Sequence, residues 1–328
     1  MRVAVFGSGS WATAIVKILS ETQDKVYWWV REKEIKDDVE AHGHNPLFLR
    51  ACELDNTKIE VSTDIHNILS KGDLLFFVIP AAFLEISLCD VSKSEFQNKR
   101  IVSAIKGIVP SSNEIVAQFF KNKYDIPYTM QGVVSGPSHA EEIAMERLTY
   151  LTCASEDKAF AELIANTIKC RFVNTTLSDD IEGIEYGGVM KNIYALASGI
   201  AFGLGYGDNF IAVLIANAVQ EMENFLEKVE SKQRNIKHLA YLGDLLVTAY
   251  SQHSRNRQFG QMIGKGYSVA SAKMEMQMVA EGYYSAESIH KTNSKFNVPL
   301  PIAEAVYNIL YNNHSAKQEF QQLQSVFN

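Results

Sequence analysis

Apolar residues fill positions 3–6 without a break, then recur at helical spacing over 10–20. That change of period predicts a strand at 2–6 followed by a helix. Lys25–Val30 is rich in aromatic and β-branched residues and predicts a second strand, with a short third at Lys58–Ser62. After the turn Lys71-Gly72-Asp73, Leu74–Ile79 is continuously apolar, as expected of a strand buried on both faces, and Pro80 ends it. Further strands are predicted at Arg100–Ala104, Tyr128–Ser135 and Leu148–Ala154, with helices near 64–70, 83–88, 112–122 and 156–169. Alternation of this kind predicts a mostly parallel sheet covered on both faces.

The pattern changes after Cys170–Val173. Strand signals nearly vanish, and long helices are predicted at 180–203, 209–230, 236–250, 281–295 and 301–311. Ser178 or Asp179 suits a helix cap, and Pro299 and Pro301 suit the start of the helix at 301. The expected organisation is an α/β domain over 1–177 and an all-α domain over 178–328.

Composition narrows the function classes. Of 328 residues, 47% are hydrophobic and 21% charged, an ordinary globular profile with room for two domains. A net charge of −7 leaves no general basic surface for nucleic acid or anionic lipid, so any anionic ligand needs a local cluster. No apolar stretch reaches the roughly 18 residues of a membrane span, and no signal peptide precedes the first strand. Cys52, Cys89, Cys153 and Cys170 lack paired spacing, which suggests a reducing compartment and no metal site. A cytoplasmic protein is expected.

Candidate chemistry begins at Gly7-Ser8-Gly9-Ser10-Trp11-Ala12. A strand, a G-x-G turn and a helix suit a dinucleotide. The first glycine allows the turn, the second admits the pyrophosphate, and the helix N-terminus offers N–H groups and a positive dipole end. Ala12 meets the need for a small third residue. The second strand ends about 24 residues past Gly7, at Arg31-Glu32, where an NAD-preferring site usually has an acid. Arg31 favours NADPH without excluding NADH, or is a solvated surface charge.

Six further islands each have a bland reading beside a chemical one. Lys106, in Ala104-Ile105-Lys106-Gly107, ends a strand and reaches a ligand crevice, or is solvated. Gly136-Pro137-Ser138, with a helix start near Ser138, holds an anion or is a capped turn. Lys191, beside Asn192 in a mostly apolar helix, has the burial that lowers a lysine pKa toward acid–base use. Asp244 caps a helix or pairs with a lysine. Ser254-Arg255-Asn256 suits bidentate phosphate recognition or a surface turn. Glu281, in Val279-Ala280-Glu281-Gly282, accepts from a cofactor or merely opens a helix.

Taken in order, these islands resemble the NAD(P)-dependent glycerol-3-phosphate dehydrogenase family of bacterial type. The match runs through GSGSWATA at 7–14, AIKG, SGPSHAEE, GGVMKN, LGDL, SRNRQFG and VAEG, in register from residue 3 to about 312. The resemblance implies a Rossmann-type domain followed by a helical domain like that of 6-phosphogluconate dehydrogenase. It implies reversible reduction of dihydroxyacetone phosphate to sn-glycerol 3-phosphate with NADP(H) or NAD(H), feeding phospholipid synthesis, in a homodimer with its site in the cleft between the domains. By motif, Gly7, Gly9, Ser10, Trp11, Arg31, Lys106, Ala140, Arg255, Val279 and Glu281 would hold the cofactor. Substrate would fall to Lys106, Gly136, Ser138, Lys191, Asp244, Ser254, Arg255 and Asn256, with Lys191 as acid–base, Lys106 beside it and Asp244 tuning it. The chain departs from the family at Ala12, a glycine in the family's turn, at Ser138-His139, at Tyr241, and at Asn217, where the family has an arginine. A nucleotide-sensing protein without turnover, or a relative acting on another small substrate, are the alternatives.

Overall fold

The computed structural model describes residues 1–276 and 280–327. They form two compact units: Met1–Ile105 with Glu114–Ile184, and Lys106–Asn113 with the described residues of 185–327.

In the first unit, eight strands make one sheet: β1 (Val3–Phe6), β2 (Val26–Trp29), β3 (Ile59–Ser62), β4 (Leu74–Phe77), β5 (Arg100–Ser103), then β8 (Gln131–Ser135), β9 (Thr149–Ala154) and β10 (Val173–Ser178). Two-residue strands β6 (Ile108–Val109) and β7 (Glu114–Ile115) fall between them in sequence. The sheet order is β10-β9-β8-β5-β4-β1-β2-β3, parallel throughout except that β8 and β9 run antiparallel. The order reverses between β1 and β4, the switch point at which doubly wound sheets bind nucleotides beyond the strand carboxyl ends. The wholly apolar β1 and β4 are buried on both faces, as their sequences require. Phe6 stacks on Phe77, with ring centroids 4.8 Å apart, and Phe120 packs on Phe77 at 4.9 Å.

β10 was not expected from the sequence. Val-Asn-Thr-Thr-Leu-Ser has little apolar pattern because it is an edge strand with mostly half-buried side chains. The cap of the following helix, Ile181–Gly203, is neither Ser178 nor Asp179: the Asp180 carboxylate accepts the Gly183 N–H at 3.1 Å. Likewise Tyr128–Met130 is a 3₁₀ turn rather than the start of a strand.

The second unit is helical, apart from β6. The helix Ile181–Gly203, from Glu185 on, and Asp208–Val229 are its longest, and Asp244–Tyr250, Arg255–Gly264, Glu281–Asn293 and Pro301–Tyr311 follow. The expected helix at 236–250 is shorter than read, because Leu239–Gly243 is a π-type turn before Asp244. Segment 106–113, inside the stretch read as α/β from the sequence, clusters with the helices instead.

Two helices of this unit touch backbone to backbone. A methyl group added at Gly199 would overlap the Arg257 carbonyl, and one at Gly203 the Gln261 carbonyl. Reciprocally, Gly260 faces the Leu196 carbonyl and Gly264 the Ile200 carbonyl. The four glycines form two small-xxx-small pairs, one per helix. They bring the helix carrying Lys191 and the helix that begins at Arg255-Asn256 to the closest spacing that packing allows.

Candidate active site

The glycine turn lies at the switch point. Gly7 has φ +139°, and any side chain there would overlap the Val78 carbonyl beyond β4. Its own carbonyl accepts the indole N–H of the buried Trp28 at 2.7 Å, and its N–H donates to the Trp29 carbonyl at 3.1 Å. Gly9 differs: open space surrounds the place of a Cβ, and it caps the 13-residue helix Ser10–Thr22 with no side-chain bond. The first turn of that helix holds no acidic residue, so no side-chain charge there competes for the positive dipole end. This cradle fits a pyrophosphate. Ser10 opens the helix, and the half-buried Trp11 packs on the core, its indole N–H donating to the Ala104 carbonyl at 3.0 Å. The aromatic thus pins the turn to the carboxyl end of β5.

Arg31, just past β2, is 71% exposed and ion-paired with Glu32. Gly136 follows β8 with φ +130°, and a Cβ there would lie 2.8 Å from the Tyr150 carbonyl. Ser138 does not cap the next helix. Its hydroxyl donates back to the Gly136 carbonyl at 2.9 Å, and Ala140–Ala144 begins after His139 without a side-chain cap.

The second unit gathers the charged residues. Gly243 holds the N-cap position, and Asp244 is the first residue of its helix. Its Oδ1 accepts from Lys191 Nζ at 2.5 Å and its Oδ2 from Lys106 Nζ at 2.9 Å. Lys191 and Asp244 are 5% and 1% exposed, so a buried carboxylate bridges a buried amine and the half-buried Lys106. Thr248, one turn beyond Asp244, takes a further Lys191 N–H at 2.9 Å and donates to the Asp244 carbonyl at 2.6 Å.

Burial pushes the Lys191 pKa down to about 7, with Asp244 opposing and Lys106 adding to the fall. Burial alone would raise the Asp244 carboxyl. The two ammonium groups outweigh it and hold the pKa below the ordinary aspartate value. The bridge therefore carries a fixed negative charge beside a lysine that can give or take a proton near neutrality.

Around it runs a chain of amides. Asn192 donates to the Lys106 carbonyl at 3.0 Å, Asn256 to Asn192 Oδ1 at 2.9 Å, and Gly282 N–H to Asn256 Oδ1 at 2.8 Å. Ser254 caps the helix Arg255–Gly264 through the Arg257 N–H. Glu281 opens the helix Glu281–Asn293; burial lifts its pKa to about 7 against the pull of Arg255. Val279 lies outside the described residues.

Within the helical unit, then, Lys106, Lys191 and Asp244 meet in one cluster, and Asn256 joins it through Asn192. Gly7, Gly9, Ser10, Trp11 and Arg31 share one end of the sheet in the other unit. Thr248 and the role of Asn192 were missed in the sequence, although Thr248 stands four residues after Asp244 on one helical face. Two of the departures are accommodated locally. Tyr241 fills the space left by Gly187, where a Cβ would lie 2.9 Å from its ring, and Asn217 bonds the Val213 carbonyl of its own helix at 2.9 Å. Among the described residues, no group of three or more His, Cys, Asp or Glu side chains is placed to hold a metal ion, and no helix is long and apolar enough to cross a membrane.

Comparison with known proteins agrees with this geometry. Residues 2–161 match the family model for the NAD-dependent glycerol-3-phosphate dehydrogenase N-terminus, and residues 180–321 that for its C-terminus. A glycerol-3-phosphate dehydrogenase (NAD(P)+) of Staphylococcus aureus is 31% identical over 318 residues, 97% of this chain and 96% of the relative. One of Macrococcus caseolyticus is 32% identical over 313 residues, 95% and 94% of the two chains. The crystal structure of the Coxiella burnetii glycerol-3-phosphate dehydrogenase superposes with a TM-score of 0.92 at 28% identity, covering 98% of both chains. With the bridged lysines and the open glycine cradle, these matches show that the chain belongs to the NAD(P)-dependent glycerol-3-phosphate dehydrogenase family.

Proposed function

We infer that this protein reduces dihydroxyacetone phosphate to sn-glycerol 3-phosphate, reversibly, with NAD(P)H, and so supplies glycerol phosphate for phospholipid synthesis. The observation that carries the reading is the Asp244 carboxylate shared by Lys106 and Lys191. The bound nicotinamide supplies a hydride to the carbonyl carbon. Negative charge then builds on the carbonyl oxygen, and Lys191 Nζ gives it a proton; in the reverse direction neutral Lys191 takes the hydroxyl proton. Lys106 faces the same carboxylate and stabilises the developing charge. Asp244 holds both amines in place, and Thr248 fixes the direction of the Lys191 N–H bonds.

The remaining assignments follow the family resemblance, motif by motif. Arg255, Asn256 and Ser254 recognise the phosphate, with Gly136 and Ser138 contributing to the substrate site. Gly7, Gly9, Ser10, Trp11, Arg31, Ala140, Arg255, Val279 and Glu281 hold the dinucleotide. The first unit is thus the cofactor domain and the second the substrate and catalytic domain. We place the protein in the cytoplasm as a homodimer. Four free cysteines support a reducing compartment, and exposed Phe202 and Val213 offer apolar surface for a second copy. Light scattering of the purified chain tests the dimer.

The activity is tested by following nicotinamide absorbance with dihydroxyacetone phosphate and either NADH or NADPH. Consumption of one or both is expected. Consumption of neither by folded protein refutes the reading.

A further inference from the structure

Two opposite charges follow β2 in succession, and only one of them was expected to meet the cofactor. The Arg31 N–H donates to Ser8 Oγ at 3.0 Å, which ties the end of β2 to the residue between Gly7 and Gly9. In this fold the ribose of the adenosine end sits there, where an acid accepts from its 2′-hydroxyl or an arginine meets a 2′-phosphate. Here both are present, and they are already engaged with each other. Glu32 Oε1 accepts from Arg31 Nε at 3.0 Å and from Nη2 at 2.7 Å. Of the two side chains, Glu32 is the inner one, at 22% exposure against 71%.

The second carboxylate oxygen is the telling atom. Glu32 Oε2 is buried with no hydrogen-bond partner. Glu32 occupies the N-cap of the helix Lys33–His42, yet its side chain makes no cap bond, so the helix does not use that oxygen either. A buried acceptor without a donor is costly. A ribose diol brings two donors. A 2′-phosphate brings a second negative charge and needs a guanidinium that Glu32 already neutralises.

We propose that Glu32 makes this enzyme prefer NADH over NADPH, by accepting from the ribose diol and by holding Arg31 in an ion pair. The proposal rests on the dehydrogenase reading above and deepens it. Arg31, alone, is a residue for NADPH; Arg31 bound to Glu32 is part of a site for the unphosphorylated ribose.

The test is binding, which is independent of turnover. Isothermal titration of the full-length chain with NADH, NADPH, 5′-ADP and 2′,5′-ADP gives the preference at the whole cofactor and at the adenosine end alone. One charge-assisted hydrogen bond gained or lost predicts NADH binding roughly 10- to 100-fold tighter than NADPH, with the ADP pair ranked the same way. Glu32→Gln frees Arg31 and removes the like charge, so NADPH binding tightens and most of the gap closes. Equal or tighter binding of NADPH by the wild type overturns the proposal, as does an unchanged gap in a Glu32→Gln protein of wild-type melting temperature. The ADP pair on the wild type decides the matter even if the variant fails to fold. Binding of neither dinucleotide overturns the dehydrogenase reading and this proposal together, whereas binding of both without preference overturns only the latter.

Discussion

Replacing Asp244 by asparagine keeps the shape of the bridge and removes its charge. The wild-type carboxylate lies 2.5 Å from Lys191 Nζ and 2.9 Å from Lys106 Nζ. At an effective dielectric of about 20, opposite charges about 3.5 Å apart attract by roughly 5 kcal/mol, an upper bound before relaxation. Measured effects of such neighbours are about 1–3 pKa units. Lys191, already lowered to about 7 by burial, should therefore fall by a further 1–3 units or so in Asp244→Asn. At pH 7 its protonated share then drops from about half to between roughly one in ten and one in a thousand. Because reduction needs the protonated lysine, kcat/KM for dihydroxyacetone phosphate should fall about 5- to 500-fold at pH 7 from titration alone. The basic limb of its pH profile should move to lower pH. Oxidation of glycerol 3-phosphate needs the neutral lysine, so its acidic limb should move the same way and its activity below pH 7 should suffer less. The assay is steady-state nicotinamide absorbance from pH 5 to 9 in both directions, with thermal unfolding as a control for folding. A basic limb that stays in place, or moves to higher pH, would refute the assignment of Lys191 as the group whose charge Asp244 controls.

Three other outcomes are expected. Lys191→Ala should abolish turnover while NADH still binds by titration, since the glycine turn lies in the other unit; equal loss of both would argue against an acid–base role. Buried Glu221 accepts the Ile302 and Ala303 N–H groups at 2.6 and 3.3 Å, and burial raises its pKa to about 8 despite those donors. A raised pKa means its contribution is full below the unfolded value of about 4.3 and is lost as pH rises through about 8. Glu221→Gln should therefore gain stability relative to wild type by a few kcal/mol between pH 5 and 9, read by chemical denaturation, and a constant difference would count against a buried titrating carboxyl. Gly199→Ala, whose methyl would overlap the Arg257 carbonyl, should cost about 2 kcal/mol or more, while Gly207→Ala, at a helix N-cap with open space around it, should cost about 1 kcal/mol or less; comparable melting temperatures for the two would undo the packing argument.

Strands with a closed apolar run, such as β1 and β4, were plain in the sequence because burial on both faces leaves no other composition. β10 escaped because its position at the sheet edge asks little of its side chains. The helix Arg255–Gly264 was hidden for a different reason. Gly260 and Gly264 have low helix propensity, and what they provide, close packing against a neighbouring helix, exists only in three dimensions. Lys106, Lys191 and Asp244 were legible as charged residues in apolar or turn settings. That one carboxylate takes both lysines was not, because the segments involved lie 53 and 138 residues apart and no local spacing encodes their meeting. Glu32 was visible as a neighbour of Arg31, but an unused carboxylate oxygen exists only in three dimensions.

The glycine crossing sets a dimensional tolerance. With no side chain between the helices of Lys191 and Asn256, their separation is fixed by backbone thickness, and no rotamer change can alter it. Adjustment is available only in whole steps along the helix, where one set of glycines would have to exchange for another four residues on. Substitutions that retune the surroundings of Lys191 gradually must therefore act through side chains and loops, not through the spacing of these two helices. On the roles proposed above for Lys191 and Asn256, the reach from proton donor to phosphate grip is a property of the backbone crossing and not of any side chain.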